Sequence, residues 1–130
     1  AGTATDKALV PSNLSSIGTS QLNNDAGFIT SGGGFTYNSI TSASSPVSSS
    51  VSNHYGADSS GGAITFNLPA LSGLSGGEEI RIKLNTAGNN LTITANGADT
   101  IEGSGSTYVM SIAKEAVTCV ASSGTNWEII

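Results

Sequence analysis

Residues 76–101, GGEEIRIKLNTAGNNLTITANGADTI, decide the fold class of this chain. In the first half of the stretch, Ile80, Ile82 and Leu84 alternate with the charged residues Arg81 and Lys83. In the second half, residues 91–94, Leu-Thr-Ile-Thr, alternate in the same way. Because successive side chains of a strand point to opposite faces, both segments predict strands with one buried face and one wet face.

Two turn signals accompany these strands. Residues 87–90, Ala-Gly-Asn-Asn, are small or tolerate positive φ, which is typical of a tight hairpin loop. Asn96-Gly97 then turns the chain again. The stretch therefore predicts a pair of antiparallel β-hairpins at the centre of an all-β domain.

Alternating or apolar runs elsewhere in the chain predict further strands, each followed by a turn signal. The run 116–121 is nearly all small and apolar, which predicts a strand buried on both faces. Strands of this length and spacing are typical of a sandwich or a barrel. We predict an antiparallel β-sandwich or jelly-roll-like domain over residues 35–130. Its further strands are expected at residues 35–41, 51–58, 63–68, 107–112, 116–121 and 125–130.

The composition restricts the partners of the chain. Only 10% of the 130 residues are charged and the net charge is −5, whereas ordinary domains carry about 25% charged residues. We therefore expect no basic face for nucleic acid or for anionic lipid. No apolar run approaches the ~20 residues of a membrane span, so membrane insertion is not expected either. A chain this polar and this weakly charged is typical of β-rich extracellular or virion proteins.

Residues 1–34 are predicted to be a different kind of segment. Their apolar residues are too sparse to build a core, and short isolated helices are marginal in water. Residues 31–34, Ser-Gly-Gly-Gly, indicate a flexible joint. We prefer an extended adaptor that docks on neighbouring copies or on a larger particle, the alternative being a disordered tail. The predicted virion-docking residues are Leu9, Val10, Leu14, Ile17, Leu22, Phe28 and Ile29.

Three short sequence phrases follow one another along the chain. Residues 2–14 read GTATDKALVPSNL, and residues 22–30 read LNNDAGFIT. A third succession begins with SGGAITFNLP at residues 60–69 and ends with GTNW at residues 124–127. Together these phrases resemble bacteriophage tail-fibre and virion-fibre proteins with a C-terminal β-domain. The resemblance implies scaffold positions rather than catalytic ones, and a homotrimer.

The resemblance predicts a structural virion fibre protein, located on the virion. Its β-domain would be displayed at the particle surface for attachment to a host-surface glycan or protein. The N-terminal segment would bind other virion proteins. The chain lacks a long coiled-coil or repeat shaft, however. The alternative is a capsid-decorating, head-fibre or adaptor protein that binds only other virion proteins.

Candidate catalytic and metal-binding residues are few, and we predict no enzyme, no cofactor and no metal site. Asp99 and Glu102 lie three residues apart in a Gly-rich turn, where solvated carboxylates are commoner than a glycosidase pair. His54 is the only histidine and falls on the serine-rich face of its predicted strand, so a surface position is favoured over a metal site on a three-fold axis. Cys119 is the only cysteine and is expected to act as a small hydrophobe. Trp127 alternates with an apolar residue, which favours a core position over stacking on a sugar.

Overall fold

Strands make up nearly all of the regular structure in the computed structural model, which describes residues 34–122 and 124–130. Two short 3-10 turns, Ser42–Ser44 and Leu71–Gly73, are the helical segments of this part of the chain. The all-β prediction is confirmed for these residues. The strands are β1 (Thr36–Thr41), β2 (Val47–Ser48), β3 (Asn53–Asp58), β4 (Ile64–Asn67), β5 (Glu79–Thr86), β6 (Leu91–Thr94), β7 (Thr100–Ile101), β8 (Thr107–Met110), β9 (Ala116–Ala121) and β10 (Asn126–Ile129).

The strands form two mixed sheets, and the chain alternates between them. A six-stranded sheet has the order β1-β3-β5-β9-β10-β7, and a four-stranded sheet has the order β2-β4-β6-β8. Each of the strands β1 to β4 pairs in parallel with the strand two places later in the chain. The chain therefore makes three circuits, and each circuit adds one strand to each sheet.

The prediction of antiparallel sheets is wrong. Five of the eight strand pairs in the described part of the chain are parallel. Only β5 with β9, β9 with β10, and β6 with β8 are antiparallel there. Parallel neighbours need a long crossover connection. Here a strand of the opposite sheet serves as that crossover.

The predicted pair of antiparallel hairpins is also wrong, because β6 belongs to a different sheet from both β5 and β7. The loop between β5 and β6 is hydrogen-bonded to Ser59, which directly follows β3. The Ser59 hydroxyl donates to the carbonyl of Asn89 at 2.6 Å, and the Asn89 amide donates to the carbonyl of Ser59 at 2.9 Å. At Gly88 a Cβ atom would lie 2.9 Å from the Cα of Ser60, so only glycine allows this approach. The loop therefore carries the chain across the core instead of folding it back.

Side chains of both sheets share one hydrophobic core. The predicted inward residues of β5 and β6 are buried, which confirms their alternation. The rings of Tyr55 on β3 and Phe66 on β4 meet edge to face, with centroids 4.9 Å apart, and so connect the two sheets. The largest fully buried side chains include Trp127, Phe66, Ile64, Leu68, Ile80, Ile82, Leu84, Leu91, Ile93 and Met110.

Strands 107–112 and 116–121 differ from their predictions. The first ends at Met110, because the Glu115 carboxylate accepts the backbone N–H groups of Ser111 and Ile112 and forms a turn. Ile112 is consequently 70% exposed. The strand at residues 116–121 is buried on one face only. Val117 lies on the buried face, and the opposite face forms part of the outer surface of the six-stranded sheet.

Residues 1–33 lie outside the described residues. The predicted adaptor segment, residues 1–34, therefore falls outside this part of the chain except for Gly34. The same holds for the predicted virion-docking residues Leu9, Val10, Leu14, Ile17, Leu22, Phe28 and Ile29.

Candidate functional site

Four polar side chains form a row across the outer face of the six-stranded sheet. Tyr37 of β1 lies opposite His54 of β3, and His54 lies opposite Arg81 of β5. Arg81 in turn lies opposite Thr118 of β9. Because side chains alternate along each strand, the register places all four on the face away from the core. We call Tyr37, His54, Arg81 and Thr118 the cross-strand row.

Tyr37 is held at one end of this row although it is 60% exposed. Its ring packs edge to face against His54, with centroids 5.5 Å apart. Its phenol end lies over Gly56 of β3, in the space that a Cβ atom at position 56 would fill. The Asn85 amide borders the same space. Glycine thus allows the exposed ring to lie along the sheet instead of pointing away from it.

Gly56→Ala is expected to displace the Tyr37 ring and to leave the fold intact. The clashing atoms are the far ends of side chains, which can move. Alanine in a strand is about 0.5–1 kcal/mol more favourable than glycine. We therefore expect the free energy of unfolding to change by less than about 1 kcal/mol, while the nuclear Overhauser effects between Tyr37 and His54 disappear. Ser39→Ala, at the position paired with Gly56, is the matched control. Persistence of those ring contacts in Gly56→Ala would refute this account of Tyr37.

Arg81 is fixed by two neighbours. Its Nε and Nη2 atoms donate to Oε2 of Glu79 at 3.3 and 3.0 Å. Its guanidinium carbon lies 4.1 Å from the centroid of the Phe35 ring, which is a cation–π contact. The Arg81 side chain is still half exposed. An arginine held in this way presents its remaining N–H groups to a ligand at little further cost in conformational entropy.

A shallow depression of about 180 Å³ lies beside the row, between β3, β5 and β9. Its lining residues include the basic residues His54, Arg81 and Lys83, the hydroxyl-bearing Thr118 and the apolar Ile130. Two of the three lysine and arginine residues of the described chain are therefore concentrated here. The depression can accept an anionic group and offers hydrogen-bond donors beside it.

A second depression, of about 430 Å³, lies where strands of the four-stranded sheet end. Its polar lining residues are Ser48, Ser49, Asn67 and Asn96. Of the described residues that line it, none is charged or aromatic. It offers hydrogen bonds but neither ion pairing nor ring stacking, so we place the candidate site at the cross-strand row.

The other residues singled out from the sequence are bonded to backbone or buried. The Asp99 carboxylate accepts the N–H of Leu71 at 2.9 Å, and the Glu102 carboxylate accepts the N–H of Ile129. Each carboxylate therefore forms a hydrogen bond to the backbone of a segment distant from it in the chain. Trp127 is fully buried, which confirms its core position. Within residues 34–122 and 124–130, no three His, Cys, Asp or Glu residues cluster as metal ligands.

Several ionisable groups have perturbed pKa values. The Ser60 hydroxyl and backbone N–H hold the pKa of Asp58 below its usual range. The Ser75 N–H bond similarly lowers the pKa of Glu78. Burial has the opposite effect on Cys119 and raises the pKa of its thiol to about 12. The thiol is therefore neutral and unreactive in the folded chain, in agreement with its predicted role as a small hydrophobe.

Sequence reasoning found part of this site. It placed Arg81 on the wet face of its strand and His54 on a polar face, but it did not bring them together. Tyr37 was missed as a candidate. The available signal was Gly56 inside a predicted strand, because a strand glycine often marks the close approach of another group.

Comparison with known proteins adds no further assignment. No protein-family model matches the chain, and no curated protein matches it. In the described residues, no helix is long and apolar enough to cross a membrane.

Proposed function

We propose that this chain is a structural virion fibre protein that presents its β-domain for attachment to a host-surface glycan or protein. The observation that carries the attachment role is the cross-strand row, in which an exposed aromatic ring and a fixed guanidinium share the outer face of the six-stranded sheet. Exposed, ordered aromatic and arginine side chains are the residues that dominate recognition surfaces. The fibre assignment rests on the three sequence phrases that resemble bacteriophage fibres.

The proposal includes a homotrimer of β-sandwich domains that docks on the virion through residues 1–34. Each sheet of the described unit has open edges, and open edges are aggregation hazards unless they are paired or covered. We place the contact between copies at the β8 edge of the four-stranded sheet. There Val109 is 48% exposed and Ile112, just beyond the strand, is 70% exposed. A closed three-fold assembly covers such an edge with identical contacts and leaves the cross-strand row free.

Light scattering tests the assembly. The full chain is expected to have three times the monomer mass at concentrations spanning two decades. Val109→Glu combined with Ile112→Glu is expected to give a folded monomer, because two charges at an apolar contact repel and lose hydration. Ser48→Glu combined with Thr65→Glu, at exposed positions of β2 and β4 in the same sheet and away from its β8 edge, is the matched control. A full chain that is monomeric throughout this range contradicts the trimer and weakens the fibre assignment.

Particle binding tests the function. Gold-labelled antibody against the purified chain is expected to mark the outside of the virions that carry it. The purified chain is also expected to compete with those virions for adsorption to host cells. Surface labelling without competition would favour the capsid-decorating alternative. An absence of labelling would refute the virion location.

A further inference from the structure

We propose that the cross-strand row and its depression bind a carboxylated sugar unit of a host-surface glycan. This inference rests on the attachment function proposed above and names the class of ligand. The site consists of Tyr37, His54, Arg81, Lys83 and Thr118, all on the outer face of the six-stranded sheet.

The charge of the depression favours a carboxylate. Its ionisable side chains, those of His54, Arg81 and Lys83, are all basic in type. In the described residues, the ion pair of Arg81 with Glu79 is the only salt bridge, which leaves Lys83 without a carboxylate partner there. Because Glu79 already pairs with Arg81, Lys83 supplies the uncompensated positive charge of the depression, which is opposite in sign to the net charge of −5 of the whole chain. An acidic ligand is therefore attracted to this depression and repelled by the rest of the surface.

The geometry of Arg81 favours a planar anion. Glu79 occupies the Nε and Nη2 edge of the guanidinium, and the Phe35 ring lies against its face. Nη1 makes no hydrogen bond to any residue in the described part of the chain. A carboxylate placed between Nη1 and the ammonium of Lys83 would receive charge-assisted hydrogen bonds from both groups. Glu79 lies at the far side of the guanidinium and keeps it oriented.

Tyr37 favours a ring over a bare ion. Its side chain is 60% exposed, yet it is held along the sheet by His54 and by the open space at Gly56. An ordered aromatic ring offers a sugar an apolar surface at low entropic cost. The depression of about 180 Å³ is smaller than the roughly 300–1,000 Å³ of sites that enclose whole ligands. It therefore fits one sugar unit bound at the surface of a longer glycan.

Binding of the full chain to three polymers tests this inference. The probes are polygalacturonic acid, its carboxyl-reduced neutral form, and polyphosphate as a polyanion without sugar rings. We expect saturable binding to polygalacturonic acid at 0.15 M salt in isothermal titration calorimetry. Carboxyl reduction should weaken binding at least tenfold, because each charge-assisted hydrogen bond lost contributes about one factor of ten. Polyphosphate should bind at least tenfold more weakly than polygalacturonic acid.

The variants separate charge from ring contact. Arg81→Gln and Lys83→Gln are each expected to weaken binding to polygalacturonic acid about tenfold. Lys114→Gln makes the same change of charge outside the depression and is expected to leave binding unchanged. Tyr37→Ala and Gly56→Ala remove or displace the ring without changing the charge, and each is expected to weaken binding severalfold. Circular dichroism of every variant verifies the fold.

Each other outcome overturns the inference. Equal binding of the neutral polymer would exclude the carboxylate, and equal binding of polyphosphate would show plain ion exchange. An unchanged affinity in Tyr37→Ala, or an equal loss in Lys114→Gln, would exclude the site. If no saccharide binds but the chain still competes for virion adsorption, the ligand class is wrong and the attachment function stands. If competition also fails, the proposed function fails separately.

Discussion

Trp127→Ala is expected to lower the free energy of unfolding by about 3–5 kcal/mol, the usual loss for a fully buried aromatic side chain. Trp127 is 0% exposed and lies on β10, between Ala121 of β9 and Ile101 of β7. Its small neighbour Ala121 cannot fill the space that the indole leaves. A loss of this size approaches the 5–15 kcal/mol of an entire domain, so the variant is expected to be largely unfolded at 37 °C.

Trp127→Phe is the matched control for this experiment. The indole Nε1 has no hydrogen-bond partner among the described residues, so phenylalanine keeps a large ring and gives up no bond to them. We expect it to retain most of the stability. Urea unfolding followed by circular dichroism measures all three proteins without relying on tryptophan fluorescence. A midpoint for Trp127→Ala equal to that of the wild type would show that the indole is solvated, and would restore the sugar-stacking interpretation of Trp127.

Alkaline pH is expected to destabilise the fold steeply through Cys119. Burial raises the pKa of this thiol to about 12 in the folded chain, against an ordinary value of 9.0. Between about pH 9 and pH 12 the unfolded chain therefore loses a proton that the folded chain retains. The free energy of unfolding should fall by about 1.4 kcal/mol per pH unit in this window, or roughly 4 kcal/mol in all. Burial also raises the pKa of Tyr108, which adds a loss of the same sign above about pH 10.

Cys119→Ala isolates the contribution of the thiol. At neutral pH this variant should be less stable than the wild type, because alanine is smaller than cysteine and leaves a cavity. Since alanine has no titrating group, its free energy of unfolding should decline less steeply than that of the wild type between pH 9 and pH 10. Tyr108 titrates only above this range. Urea unfolding at intervals of half a pH unit, under reducing conditions, gives both slopes. Parallel pH profiles for the wild type and Cys119→Ala would disprove the role of the thiol.

The sequence predicted the strands well and their pairing poorly. The alternation of residues 80–84 and 91–94 depends only on which side chains are buried, and that is a local property of each strand. Pairing depends on where the connecting loop leads. The loop at residues 87–90 has the composition of a hairpin, but its direction is set by hydrogen bonds to Ser59, about thirty residues earlier in the chain. No local pattern encodes such a contact.

The candidate site was predictable only in parts, for the same reason. Alternation placed His54, Arg81 and Lys83 on polar faces, and the structure confirms that Arg81 is exposed. Their proximity in the candidate site depends on the parallel register of β1, β3 and β5, which the expected antiparallel order did not contain. The orientation of Tyr37 further depends on a glycine in the neighbouring strand.

The winding of β1 to β6 also bears on how such a domain can change in length during evolution. Because one circuit of the chain adds one strand to each sheet, duplication of a whole circuit at the β1 end would extend both sheets together. The inward and outward sides of every existing strand would be preserved, as in other repeat architectures. Insertion of a single residue within a strand would instead exchange its two sides. Natural length variants of this domain are therefore expected to differ by complete circuits or by loop residues.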